Sequence, residues 1–207
     1  MNTIENPYWT AADFIAEDLL LDFLNTTGGK SKARENERLA SSPALFDWGL
    51  ASQLIDNDEY QRLLQHSQAD SATADNELSQ VIQWREAVHA LLHALASGEE
   101  PHAVAAKRVQ TVIKQALASA QLHHAPGQPS DWRIDSHQAA FLTIKYRLAL
   151  HLNQAMTGGK YQQVKECEAC SWMFIDTSRS RKRRWCSMST CGNRAKARRF
   201  YQNENNT

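Results

Sequence analysis

Hydrophobic side chains recur at intervals of three and four residues over much of residues 10–157, the spacing that places them on one face of an α-helix. The clearest stripe lies in residues 72–97 and predicts a long helix with these inward positions: Leu78, Val81, Ile82, Val88, Leu92 and Leu95. Glycine and proline, which interrupt helices, number only 8 and 5 in 207 residues. The pattern therefore favours a mainly helical chain.

The same periodicity predicts five further helices, over residues 10–26, 43–55, 59–66, 98–120 and 136–157. Gly28 and Gly29 are expected to end the first of them. Ser42 is expected to cap the second, with Pro43 at its first position. Prolines and a glycine separate short extended pieces in residues 123–135, which predicts a hairpin. The predicted fold class is mainly α with a small β component.

All four cysteines lie close to the end of the chain, as a pair at Cys167 and Cys170 and a second pair at Cys186 and Cys191. Thiolates suit Zn²⁺ in a closed tetrahedral site, and the two pairs together supply four ligands. Four thiolates leave no open position on the metal, so a single structural zinc is predicted rather than a catalytic one. Two disulfides are the alternative, but no leader-like segment precedes the helices, so a reducing, cytoplasmic setting is expected.

Charge is distributed unevenly around this cysteine cluster. Residues 160–207 carry a formal charge of +7 and residues 1–159 a formal charge of −7, so the net charge of zero conceals a strong asymmetry. A cationic surface held by a metal suits phosphate backbones. The candidate nucleic-acid-binding residues are Arg179, Arg181, Lys182, Arg183, Arg184, Asn193, Arg194, Lys196, Arg198 and Arg199.

The composition after Cys191 predicts a helix that is basic on two sides and apolar on the third, where Ala197, Phe200 and Tyr201 lie. This pattern is typical of a helix that contacts bases in a DNA groove. It is equally typical of a solvated basic helix whose aromatic side packs on the rest of the protein. Asn193 and Arg194 fall in its first turn, from which side chains can reach base edges. The alternative for Asn193 is that it caps or braces the zinc loop.

The run from Cys186 to Lys196 contains the sequence Cys-Gly-Asn-Arg and follows Trp172, Phe174 and Asp176. It resembles the CGNR-type zinc finger, which in bacterial proteins follows a helical domain called ABATE, in a family described as putative stress-induced transcription regulators. Residues 21–26 and 84–88 resemble recurrent ABATE segments.

Several expectations follow from this resemblance. It implies a treble-clef finger with a knuckle at residues 167–170, a hairpin over 172–176 and a helix starting at Cys191. It also implies a sensor domain over residues 1–159 and a finger over residues 160–207.

Arg85 lies on the hydrophobic stripe of the long helix, and a buried arginine needs an anion. Asp22 interrupts an equivalent stripe in the first predicted helix. We therefore expect Asp22 and Arg85 to meet, either as a buried ion pair or at the wall of a ligand pocket. Asn25, in the ABATE-like segment beside Asp22, completes the candidate ligand-binding residues.

Three classes of function remain open on the sequence. The first is a zinc-dependent regulator that binds duplex DNA and senses a stress signal or small ligand. The second is an RNA-binding or protein-docking module, and the third is a redox or metal sensor that works through its thiolates. No nucleophile with a base and no carboxylate pair stands out, so no enzyme is expected. No apolar run is long enough to span a membrane. A single finger has only a small contact area on DNA, so a homodimer is expected to enlarge it.

Overall fold

The computed structural model describes residues 8–204. Across these residues the α-helices are α1 (Leu19–Leu24), α2 (Ser42–Ala51), α3 (Asn57–Ala69), α4 (Ser71–Ser97), α5 (Ala103–Ser119), α6 (Ser136–Ala139), α7 (Thr143–Thr157) and α8 (Asn193–Glu204). The strands are β1 (Ala120–His123), β2 (Asp131–Ile134), β3 (Val164–Glu166) and β4 (Met173–Ile175). The mainly α fold with a small β component is thereby confirmed. No helix among the described residues is both long and apolar enough to cross a bilayer.

The chain forms two compact units. Within the described residues, the helical unit comprises residues 8–10 and Leu39–Gln162, and the finger unit comprises Ala11–Arg38 and residues 163–204. The segment Ala11–Arg38 therefore belongs with the C-terminal part of the chain. The predicted domains, 1–159 and 160–207, do not include this return of the N-terminal segment.

The helical unit is built around α4, which packs on α5, while α5 packs in turn on α7. Asp70 caps the start of α4 through its side chain, and Gly98 ends it in the left-handed conformation at φ +71. The predicted stripe is inward at Leu78, Val81, Val88 and Leu92, whereas Leu95 is 48% exposed. Arg85 is buried among these side chains, at 1% exposure.

Two of the predicted helices in this unit differ in detail. Ser41, not Ser42, caps α2, because its hydroxyl accepts the N–H of Ala44 at 3.3 Å. The helix predicted over residues 136–157 is broken at Ala140, whose φ of +45 lies outside the right-handed helical region. The predicted hairpin forms, but it begins three residues before the predicted span 123–135: β1 and β2 pair antiparallel in the register Ala120↔Ile134.

The helix predicted over residues 10–26 is wrong, since the finger unit begins instead with a short 3₁₀ turn, Ala11–Asp13, followed by α1. Glu17 has a φ of +61, which ends any helix arriving from the N-terminal side. The extended Asp18 then starts α1, because its carboxylate accepts the N–H groups of Leu20 and Leu21 at 3.0 and 3.1 Å.

In the rest of the finger unit, β3 and β4 pair antiparallel in the register Val164↔Ile175 and enclose the turn that carries the first cysteine pair. The observed hairpin therefore starts earlier than the predicted span 172–176. A π-helical turn over Met188–Gly192 leads into α8, which begins at Asn193 rather than at Cys191. This turn places the second cysteine pair beside the first.

Candidate metal centre and basic surface

The four cysteine sulfurs converge on one point inside the finger unit. All four lie within 4.8 Å of one another and all four residues are buried. The Sγ–Sγ distances are 3.8 Å for Cys170 to Cys186, 3.6 Å for Cys186 to Cys191 and 3.6 Å for Cys191 to Cys170. A tetrahedral Zn²⁺ with Zn–S bonds of about 2.3 Å requires sulfurs roughly 3.8 Å apart. The cluster therefore has the size that one zinc ion needs.

The four thiols lie close enough to alter one another's ionisation. The hydrogen bond from Cys170 holds the pKa of the Cys167 thiol well below its ordinary value. In return, Cys167 raises the pKa of Cys170 to about 12 and raises that of Cys186. Four thiolates cannot coexist at this distance without a positive charge between them, and Zn²⁺ supplies that charge.

The N-terminal segment of the finger unit holds the turn that carries the first cysteine pair. The Asn25 amide donates to Met173 O and accepts from Met173 N, both at 2.9 Å, so it pairs with β4 as a neighbouring strand would. The indole of Trp172 donates to Thr27 O at 3.1 Å. Ser171 N donates to Ser31 O at 3.0 Å. These contacts tie the residues after Cys170 to a part of the chain about 140 positions earlier.

The residues of the run Cys191–Arg194 contact other parts of the finger unit. Cys191 is a metal ligand, and a Cβ on Gly192 would lie 2.7 Å from Met188 Sδ. Asn193 Nδ2 donates to Ser189 O at 3.2 Å, which matches the bracing alternative for this residue. The guanidinium of Arg194 donates to Gly29 O at 2.8 Å, to Lys30 O at 3.1 Å and to Cys191 Sγ at 2.8 Å. The hydrogen bonds of Asn193 and Arg194 therefore give both residues structural contacts within the finger, while both remain exposed. Their assignment to a nucleic-acid surface stays a prediction.

Arg183 likewise belongs to the framework. Its guanidinium lies over the Phe174 ring at 4.3 Å, donates from Nε to Trp185 O at 3.0 Å and hydrogen-bonds the Cys186 carbonyl. It also donates to Ile15 O at 3.4 Å. The side chain thus spans the second cysteine pair and the N-terminal segment, and its predicted phosphate contact stays a prediction.

The basic loop between the cysteine pairs contains its own anion. Asp176 is buried and accepts hydrogen bonds from Ser178 N at 3.1 Å, from Arg183 N at 2.9 Å and from Lys165 Nζ at 2.7 Å. Burial alone would raise the pKa of Asp176, but the Lys165 ammonium and the other donors hold it well below its usual range. Both ends of the loop over residues 178–183 are therefore fixed to one carboxylate.

The remaining predicted cations form two groups, one with a partner in an ion pair and one without. Arg184 makes a two-pronged ion pair with Glu168, with Nε to Oε1 at 2.6 Å, and half of each side chain is exposed. The others are all exposed, and none has a side-chain hydrogen bond or ion pair among residues 8–202, whose side chains the structure describes. They are Arg179, Arg181, Lys182, Lys196, Arg198 and Arg199. We call these six residues the free cations.

The apolar side of α8 does not pack on the protein. Phe200 is 61% exposed and Tyr201 is 64% exposed. Their rings contact each other at 78° with centroids 5.9 Å apart. This excludes the alternative in which the aromatic side of the helix is buried.

Sequence reasoning missed Lys30 and Trp185, which line a cleft beside α8 together with Arg184, Arg198 and Arg199. Lys30 is exposed and lies in the loop over residues 27–37, which we call the N-terminal loop. The glycine pair before Lys30 was the one sequence feature that could have indicated where the N-terminal loop lies. A Cβ on Gly28 would lie 2.2 Å from Ser171 Oγ, so the Gly28-Gly29 pair marks a close approach and not a helix end.

The predicted ligand-binding residues do not meet in one unit. Asp22 accepts the Ala16 N–H at 2.9 Å in the finger unit, and Arg85 Nε donates to Glu86 at 2.8 Å in the helical unit. Burial raises the pKa of Asp22 to about 7 against the effect of the Ala16 N–H, and Asp18 adds to the rise. The expected meeting of Asp22 with Arg85 stays a prediction. A ligand role for Asp22, Asn25 and Arg85 stays a prediction.

The fold and the cysteine cluster together define a class of protein: a helical protein with a tetrathiolate zinc finger at its C-terminal end. Comparison with protein families agrees with this class. The CGNR zinc finger matches residues 163–204, and ABATE, described as "Putative stress-induced transcription regulator", matches residues 17–157. The chain belongs to the ABATE family and carries a CGNR zinc finger, whose four cysteines form the site of one structural zinc. A comparison with curated proteins finds no match.

Proposed function

We propose that this protein is a transcription regulator that binds duplex DNA through the free cations of its finger unit. The observation that carries the proposal is that these six side chains are exposed and unpaired within the described residues, while the neighbouring arginines are used to build the finger. A rigid surface of unpaired cations binds polyanions at little cost in conformational entropy. The family of stress-induced regulators supports the same reading.

In this proposal the metal and the framework residues have one task, which is to fix two cationic elements. Arg179, Arg181 and Lys182 lie in the loop that Asp176 anchors. Lys196, Arg198 and Arg199 lie on α8, which follows Cys191 directly. Zinc would supply structural rigidity without taking part in a reaction, and the activity that we propose is binding.

Charge-removing substitutions with a matched control test the proposal. The triple variant Arg179→Gln, Arg181→Gln, Lys182→Gln removes three free cations of the finger. The control triple variant Lys107→Gln, Arg108→Gln, Lys114→Gln removes three exposed cations from α5 of the helical unit. We expect the finger variant to lower the slope of log K against log salt by about three, and the control to leave it unchanged.

Fluorescence anisotropy with a labelled duplex over a salt series measures both slopes. If the wild-type protein with its zinc does not bind nucleic acid at low salt, the proposal fails. It fails equally if the two triple variants weaken binding to the same extent.

The exposed aromatic pair on α8 favours a second candidate, the binding of single-stranded nucleic acid such as RNA. Aromatic side chains between cations are the usual platform for stacking unpaired bases. Phe200 and Tyr201 have this setting, because Arg198 and Arg199 precede them directly. Under this candidate, Tyr201→Ala weakens single-strand binding about fivefold or more and leaves duplex binding unchanged.

Sensing of a small ligand is assigned to the helical unit in this proposal. An open cleft of about 510 Å³ is lined there by Leu50, Leu54 and Ile55, with Arg147 and Glu59 on its polar side. Burial would raise the pKa of Glu59, but hydrogen bonds from Arg147 and other donors lower it to about 2, so the two side chains form a closed ion pair. An uncharged, partly apolar ligand fits such a wall best.

Native mass spectrometry of the wild-type protein and of Leu54→Trp tests this assignment. We expect a bound small molecule on the wild-type protein that the bulkier side chain displaces. The same adduct on both proteins would place the ligand elsewhere.

A homodimer is part of the proposal, because a single module buries only about 600 to 1,000 Å² on DNA. Light scattering of the zinc-bound protein would detect the dimer.

Four thiols that bind zinc need a reducing compartment, which fits the cytoplasm. A redox-sensor function is less well supported, because the four cysteines are buried, with exposures of 0 to 2%.

A further inference from the structure

A cleft of about 210 Å³ lies in the finger unit between the N-terminal loop and α8. Its lining includes Lys30, Arg184, Trp185, Arg194, Arg198 and Arg199, and one carboxylate, Glu168. A volume of this size holds about seven water molecules, so a phosphate group with part of its sugar can enter. The cleft thus combines a high density of positive charge with room for a small anionic group.

The charges of the cleft are only partly compensated. Glu168 is paired with Arg184, which also lies over the Trp185 ring at 5.0 Å. Arg194 is engaged by two carbonyl groups and by the sulfur of Cys191. Lys30, Arg198 and Arg199 remain exposed, and no side-chain hydrogen bond or ion pair satisfies them among the described side chains of residues 8–202. Three like charges on one small cleft repel one another unless an anion lies between them.

Hydrogen bonds from Arg194 determine the position of the Lys30 backbone. Arg194 donates to the carbonyl of Lys30 itself and to that of Gly29, and the same guanidinium contacts the sulfur of Cys191. Arg198 lies one helical turn after Arg194 on the same side of α8. Arg194 therefore connects the backbone of Lys30 to α8 and to the metal site. This position of Lys30 is set before any ligand binds.

We propose that this cleft is a phosphate-binding subsite, in which Lys30, Arg198 and Arg199 together bind one phosphodiester of the nucleic acid. This inference rests on the proposed function and extends it, since Lys30 comes from the segment matched to ABATE and not from the finger sequence. Nucleic acid is then bound by both matched parts of the chain. Arg194 is a positioning residue in this arrangement, and Trp185 forms the wall against which the sugar lies.

Lys30→Gln tests the subsite, with Lys114→Gln on α5 as the matched control. Both lysines are exposed, and only the backbone carbonyl of Lys30 is used in the structure. We expect Lys30→Gln to weaken duplex binding about three- to tenfold at low salt and to lower the salt slope by about one. Zinc content and Tm should remain those of the wild-type protein, and Lys114→Gln should change nothing.

A second measurement places the contact. The NMR signal of the Trp185 indole N–H, assigned by its loss in Trp185→Phe, should shift when an oligonucleotide is added to the wild-type protein. Equal affinities of Lys30→Gln and Lys114→Gln, or an indole signal that does not move on binding, would overturn the subsite and leave the proposed function standing. A zinc-loaded wild-type protein that binds no nucleic acid would overturn the proposed function, and the subsite with it.

Discussion

Arg183 and Arg179 lie four positions apart in one basic loop, but their guanidinium groups have different surroundings. Arg183 spans Phe174, Trp185 and Cys186 inside the finger, whereas Arg179 is exposed. Residue type and local charge density are the same at both positions, so neither distinguishes them. The role of each arginine follows from the carbonyl groups and rings that the fold places within its reach.

Substitution by methionine at these two positions should separate the two roles. Arg183→Met removes several hydrogen bonds of a charged donor, so we expect a loss on the order of 2 kcal/mol in stability and a lower Tm of the finger. Arg179→Met should leave Tm unchanged and lower the salt slope of DNA binding by about one. Thermal denaturation and anisotropy on both variants provide the measurements. A lower Tm for Arg179→Met than for Arg183→Met would contradict this division.

The carboxyl group of Asp22 should make the finger unit less stable as pH rises. Its pKa is about 7 in the folded chain against an ordinary value of 3.8, so the folded state binds more protons between these two values. The stability that its neutral form contributes is complete below about pH 4 and is lost as pH rises through 7. Asp22→Asn keeps an acceptor for the Ala16 N–H but does not ionise.

We therefore expect the Tm of Asp22→Asn, relative to that of the wild-type protein, to increase as pH rises from about 4 to about 8, by several degrees in total. The comparison cancels the effect of acid on the zinc ligands, which both proteins share. A difference in Tm that stays constant over this range would show that Asp22 does not titrate in it.

At the scale of elements, regular periodicity was predictable and local interruption was not. The stripe of α4 extends over many turns, so Leu78 to Leu92 specify it without help from the rest of the chain. The first predicted helix failed because Glu17 and Asp18 end one turn and start another through backbone conformation and capping, which a hydrophobic pattern does not record. Ala140 breaks the last predicted helix of the helical unit in the same way.

The candidate site was predictable only where its residues are close in sequence. The cysteine spacing is local and specified the metal centre, and the free cations lie within 21 positions of one another. Lys30 and Asn25 reach the same site from positions about 140 to 165 residues earlier. No sequence window includes such a contact, and only the folded chain brings these residues together.

The pairing of α1 with β4 should be needed for tight zinc binding. Asn25→Ala leaves the N–H and the carbonyl of Met173 without their partner in a buried position, which costs on the order of 3 kcal/mol. We expect faster transfer of zinc to a coloured chelator and a lower Tm. Asn57→Ala, an exposed asparagine at the start of α3, is the control and should match the wild-type protein. Equal rates of zinc transfer in the two variants would mean that the metal site does not depend on this pairing.

At the scale of the whole molecule, positive charge and the metal site lie in one part of the chain, and most of the helices lie in the other. The chain from residue 160 onward is strongly cationic, while the preceding residues carry the compensating negative charge. The metal site lies in the finger unit, whereas six of the eight described helices lie in the helical unit. Metal loss and loss of helical structure should therefore be separable.

Removal of zinc by a strong chelator should abolish nucleic-acid binding and reduce the far-ultraviolet circular dichroism only slightly. The reason is that metal binding contributes folding energy to the finger unit, while the helical unit has its own core. Binding should return when Zn²⁺ is restored under reducing conditions. Full binding by protein shown to be metal-free would contradict a structural role for the ion.

The return of the N-terminal segment to the finger limits how this protein can be divided. A polypeptide that starts at residue 160 keeps every cysteine and every free cation, but it lacks Ala11–Arg38. Its Met173 backbone, its Trp172 indole and its Arg194 guanidinium would each lose the partner they have in the intact protein. Such a fragment would fold poorly even with its ion bound, and its failure to bind DNA would say nothing about a chain that contains Ala11–Arg38.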